Sequence, residues 1–245
     1  MGLDIYAGTL TRYYARNWKN VVQQWAEENG VDCQVMTPDG EYTQTPAEEI
    51  QPVVEEWLSA LVDGLAEGGT QVLPWIEDNE RSYYTNKPNW DAYGALLILS
   101  ACLHTGEDIP KVYQISSDWG ENQAVKNCLM EEVYINSFLN GIELWLPFAE
   151  SLWFQYVTPT GKEMVMASVG LLEAELQEIN NRRWQADEET ILSWLTIECE
   201  PLANAAEEDA PALYDLETLA KVAFAMFYEA VVFAKENRVP IRLDY

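Results

Sequence analysis

The segment LETLAKVAFAMFYEAVVFAKEN, residues 216–237, decides how the rest of the chain is read. Leu219, Val222, Phe224, Phe227, Val231 and Phe233 fall on most sides of a helical wheel. A surface helix confines its apolar residues to one stripe, so a helix that is apolar nearly all round belongs at the centre of a fold. Such a helix must be covered, and the flanking sequence supplies both helices and strands. Residues 239–243, just after it, read as an edge strand. Upstream, the segments 152–157 and 162–167 flank Thr158-Pro159-Thr160-Gly161, a hairpin turn in which the glycine is free to take a positive φ. Ser168 then caps a helix with Leu171, Leu172, Leu176 and Ile179 inward, and Asp187 caps a short one carrying Ile191, Trp194 and Leu195.

Toward the N-terminus, residues 3–7 read as a short strand closed by Gly8. Helical spacing next places Tyr14, Trp18, Val21, Val22 and Trp25 on one face, with Asn29-Gly30 as its C-cap. Residues 31–36 return to strand before the turn Pro38-Asp39-Gly40. Thr45, Pro46 and Glu48 form a capping-box pattern. It opens a helix whose stripe is Ile50, Val53, Val54, Trp57, Leu58, Leu61 and Leu65. A strand at 72–73 and a polar loop over 76–89 follow. Asn89 caps a buried helix running to about His104, and 111–116 reads as a strand. Asp118 with Glu121 caps a helix through about Asn136, 138–148 is irregular, and 201–211 is an acidic surface loop. The expected class is α+β, a mixed and mostly short-stranded sheet packed by several amphipathic helices around the apolar C-terminal helix. Residues 1–245 read as a single domain, with a weaker boundary near 108–118 as the alternative.

Composition narrows the function classes. Forty-one acidic residues against 14 basic ones give a net charge of −27, while 48% apolar and 12% aromatic residues suffice for a substantial core. This charge argues against binding nucleic acid or an anionic membrane surface and favours basic partners. The longest uncharged apolar run, 93–103, is too short to span a bilayer. The opening residues lack the basic and apolar regions of an export signal, so a cytoplasmic location is expected. The four cysteines are dispersed without a Cys-x-x-Cys pair and read as reduced core thiols. One histidine excludes multi-histidine metal sites, and Cys102 with His104 has poor spacing for zinc. Phosphate-loop, dinucleotide and nucleophile-elbow glycine patterns are absent. No catalytic residue, metal or cofactor is therefore expected, and the sequence carries no marker of oligomeric state.

Two groups of residues remain as candidates. Asp78, Glu80, Tyr83, Tyr84, Trp90 and Asp91 combine acids with aromatics on and beside the polar loop, a composition suited to a protein interface with a basic partner. Asp4, Tyr6, Arg12, Tyr13 and Arg16 set bases beside tyrosines. Arg12, Arg16 and Lys19 are the only bases in the first 80 residues, so this patch is a candidate site for an anionic small molecule. Among the ten tryptophans, Trp18, Trp25 and Trp57 fall on apolar helical faces and read as core. Trp75, Trp90, Trp119 and Trp145 lie near element ends.

The opening MGLDIYAGTLTRYY, and the run Ser168, Leu172, Leu176, Ile179-Asn180 and Trp184 behind the Pro159/Gly161 hairpin, resemble an uncharacterised family of bacterial proteins. The resemblance covers about a quarter of the chain. It implies a bacterial, cytoplasmic protein and carries no activity or site residues with it. The functional expectation is thus an acidic cytoplasmic protein that engages or neutralises a basic protein partner, as an immunity protein does. The alternative is an enzyme or small-ligand module using the Asp4/Tyr6/Arg12/Tyr13 patch.

Overall fold

The computed structural model describes residues 3–31, 45–115, 118–131, 136–202 and 212–245. The chain is α+β. Strands β1 (Asp4–Ala7), β2 (Tyr84–Asn86), β4 (Leu144–Leu146), β5 (Trp153–Val157), β6 (Glu163–Ser168) and β8 (Ile241–Asp244) form one mixed sheet in the order β2-β1-β8-β4-β6-β5. All its neighbours are antiparallel except β4 and β6. β3 (Val112–Gln114) and β7 (Leu213–Asp215) make a separate two-stranded ladder. The helices are α1 (Leu10–Tyr14), α2 (Val21–Glu28), α3 (Ala47–Glu67), α4 (Trp90–Thr105), α5 (Gln123–Met130), α6 (Val169–Arg183), α7 (Glu188–Ser193) and α8 (Leu216–Asn237). Among the described residues no helix is long and apolar enough to cross a membrane.

α8 packs centrally, its longest interface being with α4, in which every residue from Ala92 to Cys102 is buried. Period-two alternation divides the strand side chains between two cores. Ile5, Trp145, Ala167, Ile241 and Leu243 join α4 and α8 on one side. Leu144, Leu146 and Met166 point the other way, where Val54, Trp57, Leu58 and Leu61 of α3 meet them with Trp75 and Phe148.

Several expectations are met at residue level. Asn89 accepts from the Ala92 N–H, Asp187 from Thr190 and Ser168 from Leu171, each at a helix start, and Gly161 turns the hairpin at φ 82°. Others are corrected. The strand after α8 is interior, held between β1 and β4, because both of its edges find partners that its own residues do not reveal. The single helical face through Tyr14 and Trp25 is broken. Arg16 turns left-handed (φ 53°) and Asn20 starts α2 afresh, accepting from Gln23 N–H in a capping box. α3 begins at Ala47 with Pro46 as a cap that offers no side-chain bond, so the Thr45–Glu48 box does not form. Asp118 caps only a 3₁₀ turn at Trp119–Glu121, and Asn122 caps α5. The polar loop yields β2, the irregular stretch yields β4, and 72–73 is not a strand. The helix expected to run to about Asn136 ends at Met130, where Glu131 is already extended, and the strand over 32–36, the turn at 38–40 and most of the acidic loop lie outside the described residues.

One junction shows how tightly the sheet and helices are joined. Ser168 Oγ accepts from Leu171 N–H (3.0 Å) and Leu152 N–H (3.0 Å) and donates to the Glu150 carbonyl (2.5 Å). Two residues on, Gly170 N–H bonds the Phe148 carbonyl at 2.9 Å, and a Cβ at Gly170 would lie 2.1 Å from the Ala149 carbonyl oxygen. That neighbour is backbone and cannot swing aside. Gly170→Ala should therefore destabilise the fold by about 2 kcal/mol through overpacking. Ser168→Ala should cost about 1 kcal/mol through the lost cap. Urea titrations measure both, and a wild-type midpoint for Gly170→Ala would refute the close approach.

Candidate functional site

The chain leaves β1 through Gly8 and enters α1, where the first N–H groups of the helix need acceptors. Glu77 supplies them from the opposite loop. Its carboxylate accepts from Leu10 N–H (3.2 Å), Thr11 N–H (2.8 Å) and the Trp75 indole N–H (2.5 Å), and it is almost wholly buried. Burial raises its pKa, an effect opposed by these bonds. Thr9 Oγ1 adds a bond to the Asp78 carbonyl at 2.5 Å. The polar loop is thus fastened to the start of α1, which brings parts of the two sequence-selected groups together.

Tyr83, from the first group, stacks on Tyr6, from the second, with ring centres 6.0 Å apart. The Arg12 guanidinium lies 5.0 Å from the Tyr83 ring centre, donates to the Asn17 carbonyl at 2.8 Å and also bonds the Asn79 carbonyl. Tyr6 and Tyr13 both pack on Trp18. Tyr6 donates to the Thr9 carbonyl (2.9 Å) and Tyr13 to Asp244 Oδ1 (2.8 Å), with Arg242 over the Tyr13 ring at 5.7 Å. Asp4 is paired with Lys87 at 2.8 Å, and Arg16 is exposed beyond the end of α1. Apart from Arg12 Nε, which is buried without a hydrogen-bond partner, the polar side-chain atoms of Asp4, Tyr6, Arg12 and Tyr13 are therefore engaged within the fold.

The first group is divided. Asp78 is spent on its own turn, accepting from Glu80 N–H (2.9 Å) and Arg81 N–H (2.8 Å) and pairing with Arg81 Nε (2.9 Å). Tyr84 donates inward to Glu229 at 2.8 Å. Trp90 and Asp91 begin α4 beyond the far end of β2, where Trp90 packs edge-on against Tyr245 at 5.3 Å. The length of the strand separates them from Glu80 and Tyr83, which stay at the Arg12 end.

An open concavity of about 410 Å³ lies at that end, lined in part by Arg12, Glu27, Glu28, Glu80, Arg81 and Tyr83. Glu27 is paired with Lys19 (2.6 Å) and Arg81 with Asp78, whereas the Glu28 and Glu80 side chains have no partner among the described residues. Trp25, one turn from Glu28 on α2, is 58% exposed, and Val22 beside it is exposed as well. This overturns the reading of Trp25 as core. α2 has an apolar face, but the described fold sets no element against Trp25, and spacing alone does not reveal whether a face meets a neighbour. Glu27, Glu28 and Trp25 were missed for this reason; the Glu-Glu doublet before the Asn29-Gly30 stop was their only sequence signal. Trp57, Trp75 and Trp145 are buried. A larger concavity of about 480 Å³ between α6, α7 and α8 contains none of the sequence-selected residues.

Activated groups for covalent or metal chemistry do not appear among the described residues. No trio of His, Cys, Asp or Glu is arranged to hold a metal. Cys102 and Cys128 are buried, and burial, then nearby acids, push each thiol pKa up to about 11, away from the nucleophilic thiolate. His104 Nε2 meets Glu131 at 2.9 Å. Compared with family models, curated proteins and solved structures, the chain gives no match.

One buried acid outside the site sets a pH response. Glu175 on α6 accepts from Ser137 N–H (2.6 Å) and from Ser137 Oγ. Burial raises its pKa to about 7, although both Ser137 bonds favour the charged form. A folded carboxyl pKa above the unfolded value means that the folded state holds the proton more tightly. The stability it contributes is complete below about pH 4.5 and is lost as pH rises through about 7. Glu175→Gln should reduce the fall in melting temperature between about pH 5 and about pH 8, and should stabilise the protein at the upper end. Identical pH slopes for the two proteins would show that Glu175 does not titrate in this range.

Proposed function

We propose that this chain is an acidic binding protein that engages or neutralises a basic protein partner, in the manner of an immunity or inhibitor protein. The observation that carries the reading is the exposed Trp25 beside a concavity whose Glu28 and Glu80 carboxylates are without partners. An aromatic anchor flanked by unpaired acids suits a partner presenting lysine or arginine around an apolar pocket. A net charge of −27 would steer such a partner from a distance and make association sensitive to salt. Of the residues selected from sequence, Arg12, Glu80 and Tyr83 line this concavity. The anionic-ligand alternative is less favoured, because an anion at Arg12 would have to displace the Asn17 and Asn79 carbonyls.

The test is capture at low salt from an extract of the native cells, using tagged wild type, Trp25→Ala and the double variant Glu28→Lys/Glu80→Lys. Wild type should retain a basic protein that a salt step releases. Trp25→Ala should weaken retention by about tenfold or more, as expected of an anchor contributing at least ~1.4 kcal/mol. The double reversal should abolish it. Equal retention of the same protein by all three would remove this surface from the account.

A further inference from the structure

α6 and α8 run antiparallel. Lys235, near the end of α8, pairs with Glu173 near the start of α6 (2.5 Å), and Trp184 at the end of α6 donates to Glu217 in the first turn of α8 (2.8 Å). Helical spacing sets Glu173, Leu176 and Asn180 on one face of α6, and Phe224, Tyr228, Val231 and Lys235 on one face of α8. These faces meet along a seam that α7 covers only in part. Gln185 turns left-handed (φ 50°), and the Asn180 amide holds the Ala186 backbone through both its nitrogen (2.8 Å) and its oxygen (3.0 Å). The chain is thereby turned back over the first half of α8, where Trp184 and Trp194 pack on Phe224 at 5.0 and 5.9 Å. Beyond α7 the seam stays open among the described residues, as the groove of about 480 Å³.

The groove joins an apolar floor to charges held apart. Leu176, Ile191, Phe224 and Val231 line it and are otherwise buried. At one end stand Glu173, Lys235 and Glu236; the first two neutralise each other, so Glu236 leaves that end negative. At the other end stands Glu188, which opens α7. Glu188 and Glu236 are exposed and have no ion pair among the described residues. Tyr228 lies between the two ends. Burial first, and then the Glu188 and Glu173 carboxylates, raise its pKa, with Lys235 opposing them. Its hydroxyl makes no hydrogen bond among the described residues. From Tyr228 to Lys235, α8 rises about 10 Å.

We propose that this groove binds a linear aliphatic diamine, with its methylene chain on the apolar floor, one ammonium group at Glu188 and the other at Glu236. The charge pattern selects the class. An anion would meet carboxylates at both ends, and the lysine of the groove is already paired with Glu173. A neutral apolar molecule would leave both carboxylates unanswered, and a compact metal cation could serve only one end. A diamine keeps its ammonium groups solvated at the exposed ends while its methylenes leave water, which is favourable for each one buried. The volume lies within the range of roughly 300–1,000 Å³ usual for small-ligand sites. The groove shares no residue with the Glu28/Glu80 concavity, so the two sites are tested independently.

Calorimetric titration of the intact chain with terminal diamines of equal charge and unequal length tests the proposal. Salt at about 0.15 M screens diffuse attraction to the acidic surface. Diaminooctane should bind at one site per chain, about tenfold or more tighter than diaminopropane, which is too short to reach both ends. Octanediol, of similar length and without charge, should bind about tenfold or more weaker than diaminooctane. Glu188→Gln and Glu236→Gln, both at exposed positions, should each weaken diaminooctane by about threefold, and the double variant by about tenfold. Glu48→Gln removes the same charge from an exposed position on α3 and should leave binding unchanged. Absence of saturable binding, several equivalent sites, equal affinities for the two diamines, or octanediol binding as tightly as diaminooctane each overturns the proposal. So does a loss with Glu48→Gln equal to that of the groove variants, because the acidic surface as a whole would then be the cause.

Discussion

The packing of α8 on α4 is the constraint that orders the rest of this fold. Ala92 to Cys102 are buried on every side, and Phe227 of α8 meets Phe138 at 4.9 Å, edge to face, and Tyr93 at 5.9 Å. Such aromatic contacts add about 0.5–1.5 kcal/mol each beyond the area they bury. α4 has no polar face and cannot lie against water, so its neighbours must cover it, whereas α8 keeps Glu217, Lys221 and Lys235 on a partly exposed side. The sheet supplies one side through Ile5, Trp145, Ile241 and Leu243, and α5 and α6 supply others. β8 follows α8 after a short turn and is thereby drawn into the middle of the sheet.

With the interior closed to charge, 41 acids must be accommodated at the surface or neutralised. Among the described residues only Glu77 and Glu175 are fully buried acids, and each answers backbone N–H groups at the start of a turn or helix. Their placement gives orphaned donors their acceptors, although burial still raises the pKa of each carboxyl against those bonds. Glu77 is the more consequential for the surface. By holding α1 to the polar loop it sets Tyr83 against Tyr6 and Arg12, and so determines which loop residues face solvent.

Local features were legible from sequence because their causes are local. The Asn89, Ser168 and Asp187 caps, the Gly161 turn and the bounds of α8 each depend on a few neighbouring residues. The three-residue strands β2 and β4 were not, since each exists only where a distant strand offers a ladder. The two candidate groups were partly right and wrongly divided. Tyr83 and Arg12 are 71 residues apart in sequence and adjacent in space through Glu77, whose role is invisible in a run of polar residues. Trp25 and Trp57 look alike on a helical wheel, yet one is 58% exposed and the other buried, because α3 lays its apolar stripe on Leu144, Leu146 and Met166 of the sheet whereas α2 meets β2 through the polar Gln24.

The net charge of −27 acts differently on unlike partners. Around Glu28 and Glu80 the field of the whole chain adds to the local charge, so a basic partner at the concavity would gain from every acid on the surface and would lose as salt screens them. The same field would oppose the approach of any acidic partner, and there salt would relieve the obstacle.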